Sequence, residues 1–143
     1  MIIETHKVWQ VFFSVVFCLV IAVPVVSAQP DDSAVILMYH NVSDETPAST
    51  SVSPATFRQH MQYLADKKYT VWPLYKTLFH LATGKAIPAK TVVLTFDDAY
   101  RSVYEEAYPV LKEKGWPFTV FVTTQYIGEG YTNFMSWQQL REI

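Results

Sequence analysis

The 143-residue chain has one cysteine, Cys18, and it lies within an apolar N-terminal stretch. A disulfide framework and a cysteine-based metal site are therefore excluded. Clustered charge is also missing. Eleven Lys and Arg stand against 13 Asp and Glu, scattered along the sequence, for a formal charge of −2. A nucleic-acid footprint needs clustered Lys and Arg, so nucleic acid is excluded as a partner. There is no internal repeat and no low-complexity tract.

The N-terminus holds what reads as an export signal. Lys7 precedes the apolar run Val11 to Val23, followed by Pro24 and the small-residue site Val26-Ser27-Ala28. This order predicts a secretory signal over residues 1–28, cleaved after Ala28. An uncleaved anchor is the rival, because Val8 to Val26 approaches the ~20 residues that span a bilayer. Gln10, Ser14 and Pro24 interrupt that stretch. The protein is thus expected to be secreted, or periplasmic in the cell envelope, with membrane contact only through the signal segment if uncleaved. Residues 29–33 read as a short linker and residues 34–143 as one domain, long enough for a single core.

Within that domain strands and helices alternate. Ala34 to Tyr39 is a short apolar strand, and Asn41 to Ser53 a long polar loop. Loops of that length are uncommon unless functional. Ser53 followed by Pro54 opens a helix whose apolar stripe is Phe57, Met61, Leu64 and Ala65. Thr70-Val71-Trp72 is a second strand, stopped by Pro73. Leu74, Leu78, Leu81 and Ala82 mark a second helical stripe, ended by Gly84. Val103, Ala107, Val110 and Leu111 mark a third helix, which Pro109 is expected to kink or split. Phe118 to Val122 is a fourth strand, and Ser136 with Gln139 forms a capping box opening a fourth helix.

The third strand carries the chemistry. Thr91-Val92-Val93-Leu94-Thr95-Phe96 is β-branched and apolar throughout, as in a parallel-sheet strand covered on both faces. It ends in Asp97-Asp98. Ligands and catalytic groups gather at the carboxyl ends of such strands. Two adjacent acids repel and cost desolvation energy. A divalent cation is the usual compensation, with one carboxylate as ligand and the other free as a base. Side chains alternate along an extended strand, so the two acids can take different roles only at a strand-to-loop bend.

Four β-α units in this length match the pitch of a (β/α) barrel but cannot close one. The expectation is an α/β fold, the N-terminal portion of a (β/α) barrel, belonging to a larger protein and stopping inside its last helix. A complete small doubly wound domain is the alternative.

Val35-Ile36-Leu37-Met38-Tyr39-His40, Thr91 to Tyr100, Tyr108-Pro109-Val110-Leu111 and Pro117 to Val122 together resemble the NodB-homology polysaccharide deacetylases. Met38-Tyr39-His40 and Met135-Ser136-Trp137 are most similar to the exported branch that removes acetyl groups from poly-N-acetylglucosamine. The resemblance covers Ala34 to Ile143. It implies a distorted seven-stranded barrel and metal-dependent hydrolysis of N-acetyl groups on an N-acetylglucosamine-containing polysaccharide. It also implies that Asp97 is the catalytic base, Asp98 a ligand of a divalent ion, often zinc, and His40 a general acid. The histidine pair of a His-x-x-x-His motif, which completes the family's metal site, is absent. The histidines are His6, His40, His60 and His80. The 143-residue chain alone is thus expected to be inactive, and a non-catalytic exported fragment or a degenerate glycan-binding module is the alternative.

Plainer roles exist for each residue. Asp98 could cap the helix that begins near Tyr100. His40 could be a loop histidine satisfied by backbone. His60 reads as a boundary residue of the first helix, and His80 as solvated. Of the loop aromatics Tyr100, Tyr126, Tyr131, Phe134 and Trp137, only Tyr100 is expected to touch a sugar, because it follows the acid pair. An Asp-x-Asp phosphohydrolase is disfavoured because the second acid stands at i+1.

Overall fold

The computed structural model describes residues 33–143. The expected signal segment and all of the linker but Ser33 lie outside them. Among the described residues no helix is long and apolar enough to cross a membrane.

The order of elements is β1 (Val35–Tyr39), β2 (Asn41–Val42), β3 (Ser51–Val52), α1 (Pro54–Asp66), β4 (Thr70–Val71), α2 (Leu74–Thr83) and β5 (Thr91–Phe96). A π-helical segment, Val103–Ala107, runs into α3 (Tyr108–Lys114), and β6 (Thr119–Val120), α4 (Thr124–Gly128) and α5 (Trp137–Glu142) follow. β5 is the centre of the main sheet, and all six of its residues are buried, as its unbroken apolar run requires. β1 pairs with it in parallel from Val35↔Val92 to Tyr39↔Phe96. The opposite edge of β5 is shared. β4 pairs with its start, Thr70↔Thr91, and β6 with its end, Thr95↔Thr119.

The core forms where α1 and the Val103–Lys114 helical run pack on this sheet. Phe57, Met61, Leu94, Phe96, Val103, Ala107 and Leu111 are fully buried. The Ser53 cap is present, its hydroxyl accepting the Thr56 N–H at 3.0 Å. The Ser136–Gln139 capping box is present as well. At Pro109 the helix splits as expected. A proline lacks the N–H that would continue the i→i−4 ladder. The preceding turn is π-helical, with the Tyr108 N–H donating to the Val103 carbonyl.

Three expectations are corrected. The 41–53 loop contains a parallel pair, Asn41↔Ser51 and Val42↔Val52, so its base is sheet-like. The fourth strand is only Thr119–Val120, and Phe121 and Val122 are exposed beyond it. The second helix forms where its stripe predicts and ends at Gly84, with Leu78 51% and Leu81 54% exposed and Thr77 the residue buried. His80 is not a solvated side chain: its ring meets Trp72 edge-on at 4.8 Å, and Nδ1 donates to the Ala86 carbonyl at 2.9 Å.

Candidate active site

In a parallel sheet every strand ends on the same side, so β1 and β5 deliver their next residues to one place. Those residues are His40 and Asp97. The Asp97 N–H donates to the Tyr39 carbonyl at 2.8 Å, extending the ladder by one bond and holding Asp97 beside the end of β1. His40 Nε2 lies 3.7 Å from Asp97 Oδ2, with the side chains 32% and 27% exposed. That distance is an ion-pair approach and too long for a hydrogen bond. His40 is therefore placed against the acid pair, not on a backbone partner.

Asp98 leaves the strand. Its φ is +67° and that of Ala99 is +61°, two successive left-handed non-glycine residues. Such backbone costs about 1–3 kcal/mol per residue and persists only where the surroundings fix it. Here they do: Ala99 is fully buried, and its carbonyl accepts the Met135 N–H at 2.8 Å. The bend sends the carboxylates apart, Asp97 toward His40 and Asp98 toward Thr123, whose hydroxyl donates to Asp98 Oδ1 at 3.0 Å. Asp98 thus accepts from a side chain after β6 and does not act as the helix cap.

Tyr100 is largely committed to packing. Its ring stacks on Phe134 at 4.8 Å, and its backbone forms an antiparallel bridge to the same residue. Burial, then the Asp98 charge, then Tyr126 push its hydroxyl pKa up. One ring face is covered, so Tyr100 is an edge of the site and no open stacking platform.

Three features were not visible in the sequence. Tyr39, beneath His40, packs on Phe57 and Phe96 and hydrogen-bonds His60 Nδ1 at 3.1 Å. Burial pushes its hydroxyl up to about 12. Ser102, on the turn after the acid pair, accepts the Val42 N–H at 3.1 Å and donates to Asn41 Oδ1 at 3.3 Å. Thr123 grips Asp98 as described. Each is a contact between segments far apart in sequence, and no local pattern announces it. His60 could have been suspected, since it lies one turn from Phe57 on α1.

The fit to a metal is partial at most. Among the described residues no group of three or more His, Cys, Asp or Glu is placed to hold an ion. Asp98 is a single anionic donor, and a tetrahedral site needs three or four protein ligands. The residues described do not by themselves make a metal site.

Residues 84–143 match the family model for polysaccharide deacetylase. The poly-beta-1,6-N-acetyl-D-glucosamine N-deacetylase of Escherichia coli (strain K12) is 29% identical over 129 residues, covering 80% of this chain and 19% of that protein. The enzyme of the same name from Staphylococcus aureus (strain MSSA476) is 30% identical over 113 residues, covering 69% of this chain and 39% of that one. The solved structure of IcaB from Ammonifex degensii superposes with a TM-score of 0.68 at 33% identity, covering 78% of this chain and 48% of that chain. The chain spans less than half the length of these relatives. The parallel sheet, the acid pair at its carboxyl end and these likenesses agree: over residues 84–143 the chain is similar to the polysaccharide deacetylases, and its fold is that of part of a NodB-type barrel.

Proposed function

We propose that this chain supplies the acid–base part of a deacetylase that removes N-acetyl groups from an N-acetylglucosamine-containing polysaccharide outside the cytoplasm. The observation that carries this reading is the His40–Asp97 approach at the joined ends of β1 and β5. Asp97 is the general base: it takes a proton from the water that attacks the acetyl carbonyl carbon. His40, protonated, is the general acid: it gives a proton to the amide nitrogen as the C–N bond breaks, so that acetate and a free amine leave. At 3.7 Å neither group is tied up by the other, so each keeps a proton-transfer atom for substrate. Asp98, turned away by the left-handed bend, is the one ligand these residues offer to a divalent ion, zinc in this reading. Tyr100 borders the substrate. Residues 1–28 act as the export signal and are removed after Ala28.

A second reading has its own support. It is a non-catalytic exported module that binds glycan without hydrolysing it, in which the exposed His40 and Asp97 side chains at the ends of β1 and β5 serve binding alone.

The experiment that separates the two uses the protein at the full domain length of its relatives. Asp97→Asn should retain metal and lower deacetylation of N-acetylglucosamine oligomers by about 10²–10⁴-fold, the usual cost of losing a general base. Full activity in Asp97→Asn would overturn the assignment. Absence of hydrolysis in the unsubstituted protein, with glycan binding retained, would establish the second reading.

A further inference from the structure

Between Asp66 and Asp97 the chain carries five lysines and no acidic residue. They are spread out in the sequence, and the fold gathers four of them around one end of the sheet. β4 and β5 are parallel and start together at Thr70↔Thr91, so Lys67 and Lys68 before β4 stand beside Lys90 before β5. Lys90 Nζ donates to the Lys67 carbonyl at 3.0 Å. Lys85 lies on the connection from α2 into the start of β5. We propose that this end of the molecule, with the outer face of α2, docks on an anionic phospholipid bilayer. The contact is separate from the N-terminal apolar stretch and independent of the deacetylase reading.

Two observations point there. The first is an exposed apolar helix face. Tyr75, Leu78 and Phe79, at i, i+3 and i+4 of α2, are all more than half exposed, and so is Leu81. Adjoining exposed apolar groups of this kind mark a surface that meets a partner or a membrane.

The second is charge placed against those groups. Lys85 Nζ lies 4.7 Å from the centre of the Phe79 ring, and Lys76 Nζ 3.8 Å from that of Trp72. Lys67 Nζ stands 5.9 Å from the ring of Tyr63, which is also more than half exposed. Ammonium groups beside exposed rings and leucines are the pattern of an interfacial helix. The apolar groups enter the acyl boundary while the lysines reach the lipid phosphates.

The combination selects lipid over other occupants. A second copy seated on the same face by two-fold symmetry would set lysine against lysine. An N-acetylglucosamine polymer is neutral, and cationic once deacetylated, so it offers the lysines no opposite charge. A nucleic acid would satisfy the lysines and leave the leucines in water. An anionic bilayer satisfies both. Lys90 and Asp97 flank β5 at opposite ends, roughly 23 Å apart at ~3.3 Å per residue, so a docked molecule holds its acid pair clear of the lipid.

The test is flotation of the 143-residue chain with vesicles of pure phosphatidylcholine and of equal parts phosphatidylcholine and phosphatidylglycerol. The N-terminal stretch is the same in every variant, so its contribution cancels in the ratios. Anionic vesicles should bind about 10²-fold more tightly than neutral ones, a preference that shrinks at high salt. Lys67→Gln combined with Lys85→Gln should lower that preference by about 20-fold, near fivefold for each lysine. Leu78→Gln combined with Phe79→Gln should weaken binding to anionic vesicles about tenfold, with circular dichroism unchanged because both positions are exposed. Equal binding to the two vesicles would overturn the proposal. So would a preference that survives both pairs of substitutions, which would place the contact elsewhere on the chain. Loss of self-association in the Leu78→Gln, Phe79→Gln variant, with vesicle binding unchanged, would assign the face to a second copy. If the protein at the full domain length of its relatives shows no lysine-dependent preference, the rest of that protein covers the face and the proposal fails.

Discussion

His40 and Asp97 each occupy the position directly after the last paired residues of two adjacent parallel strands, Tyr39 and Phe96. Their 3.7 Å approach follows from the β1–β5 register, which the Asp97 N–H bond to the Tyr39 carbonyl extends by one step. A site built on strand ends is held more closely than one built on loops.

For this reason His40→Ala should act on chemistry alone. In the full-length protein, turnover of N-acetylglucosamine oligomers should fall by about 10²–10⁴-fold. Metal content, measured by atomic absorption, should stay unchanged, because His40 faces Asp97 and not Asp98. A loss of metal would place His40 among the ligands.

Tyr39 makes a prediction about alkaline pH. Its hydroxyl is raised from 10.0 to about 12 by burial, so the folded state holds the proton more tightly than the unfolded state does. Its contribution to stability is complete below about pH 10 and is lost as pH rises toward about 12. Phenolate absorbance should show one tyrosine titrating late, together with loss of structure. Tyr39→Phe should remove that late step.

The end of α1 carries a left-handed lysine. Lys68 has φ +56°, and the Tyr69 N–H donates to the Leu64 carbonyl at 2.9 Å across it, a Schellman closure. Glycine adopts this conformation without the Cβ clash, so Lys68→Gly should stabilise the protein by about 1 kcal/mol. Urea unfolding would register this as a higher midpoint at unchanged slope.

The exposed edge of β1 makes a prediction about association. Val35, Ile36 and Met38 are all at least half exposed along a strand that, among the described residues, pairs only with β5. An unprotected apolar edge is a template for another chain. The 143-residue chain should self-associate in sedimentation, and Ile36→Lys should shift it toward monomer. A monomer before substitution would refute this.

Much of the frame was legible in the sequence. The Thr91–Phe96 run could be read because a strand covered on both faces has no polar side to disguise it. The Ser53-Pro54 start and the Ser136–Gln139 box could be read because capping is local chemistry. The α2 stripe could be read as a helix because apolar spacing is local, but that spacing does not report that Leu78 and Leu81 stay exposed. β2 and β3 were hidden because two-residue strands have no periodicity. Of the site, the acid pair and His40 were visible as a phrase. The Thr123 grip on Asp98 joins residues 25 positions apart and follows only from how β6 lies against the end of β5.

The β1–β5 ladder also sets where this sequence can vary. Only the five pairs from Val35↔Val92 to Tyr39↔Phe96 align His40 with Asp97. Insertions or deletions in the connections between them, such as the exposed turn after α2, leave that alignment untouched. One residue added inside either strand would turn every later side chain to the opposite face and separate the pair completely. Length variation is thus permitted through most of the intervening chain and forbidden in two short windows.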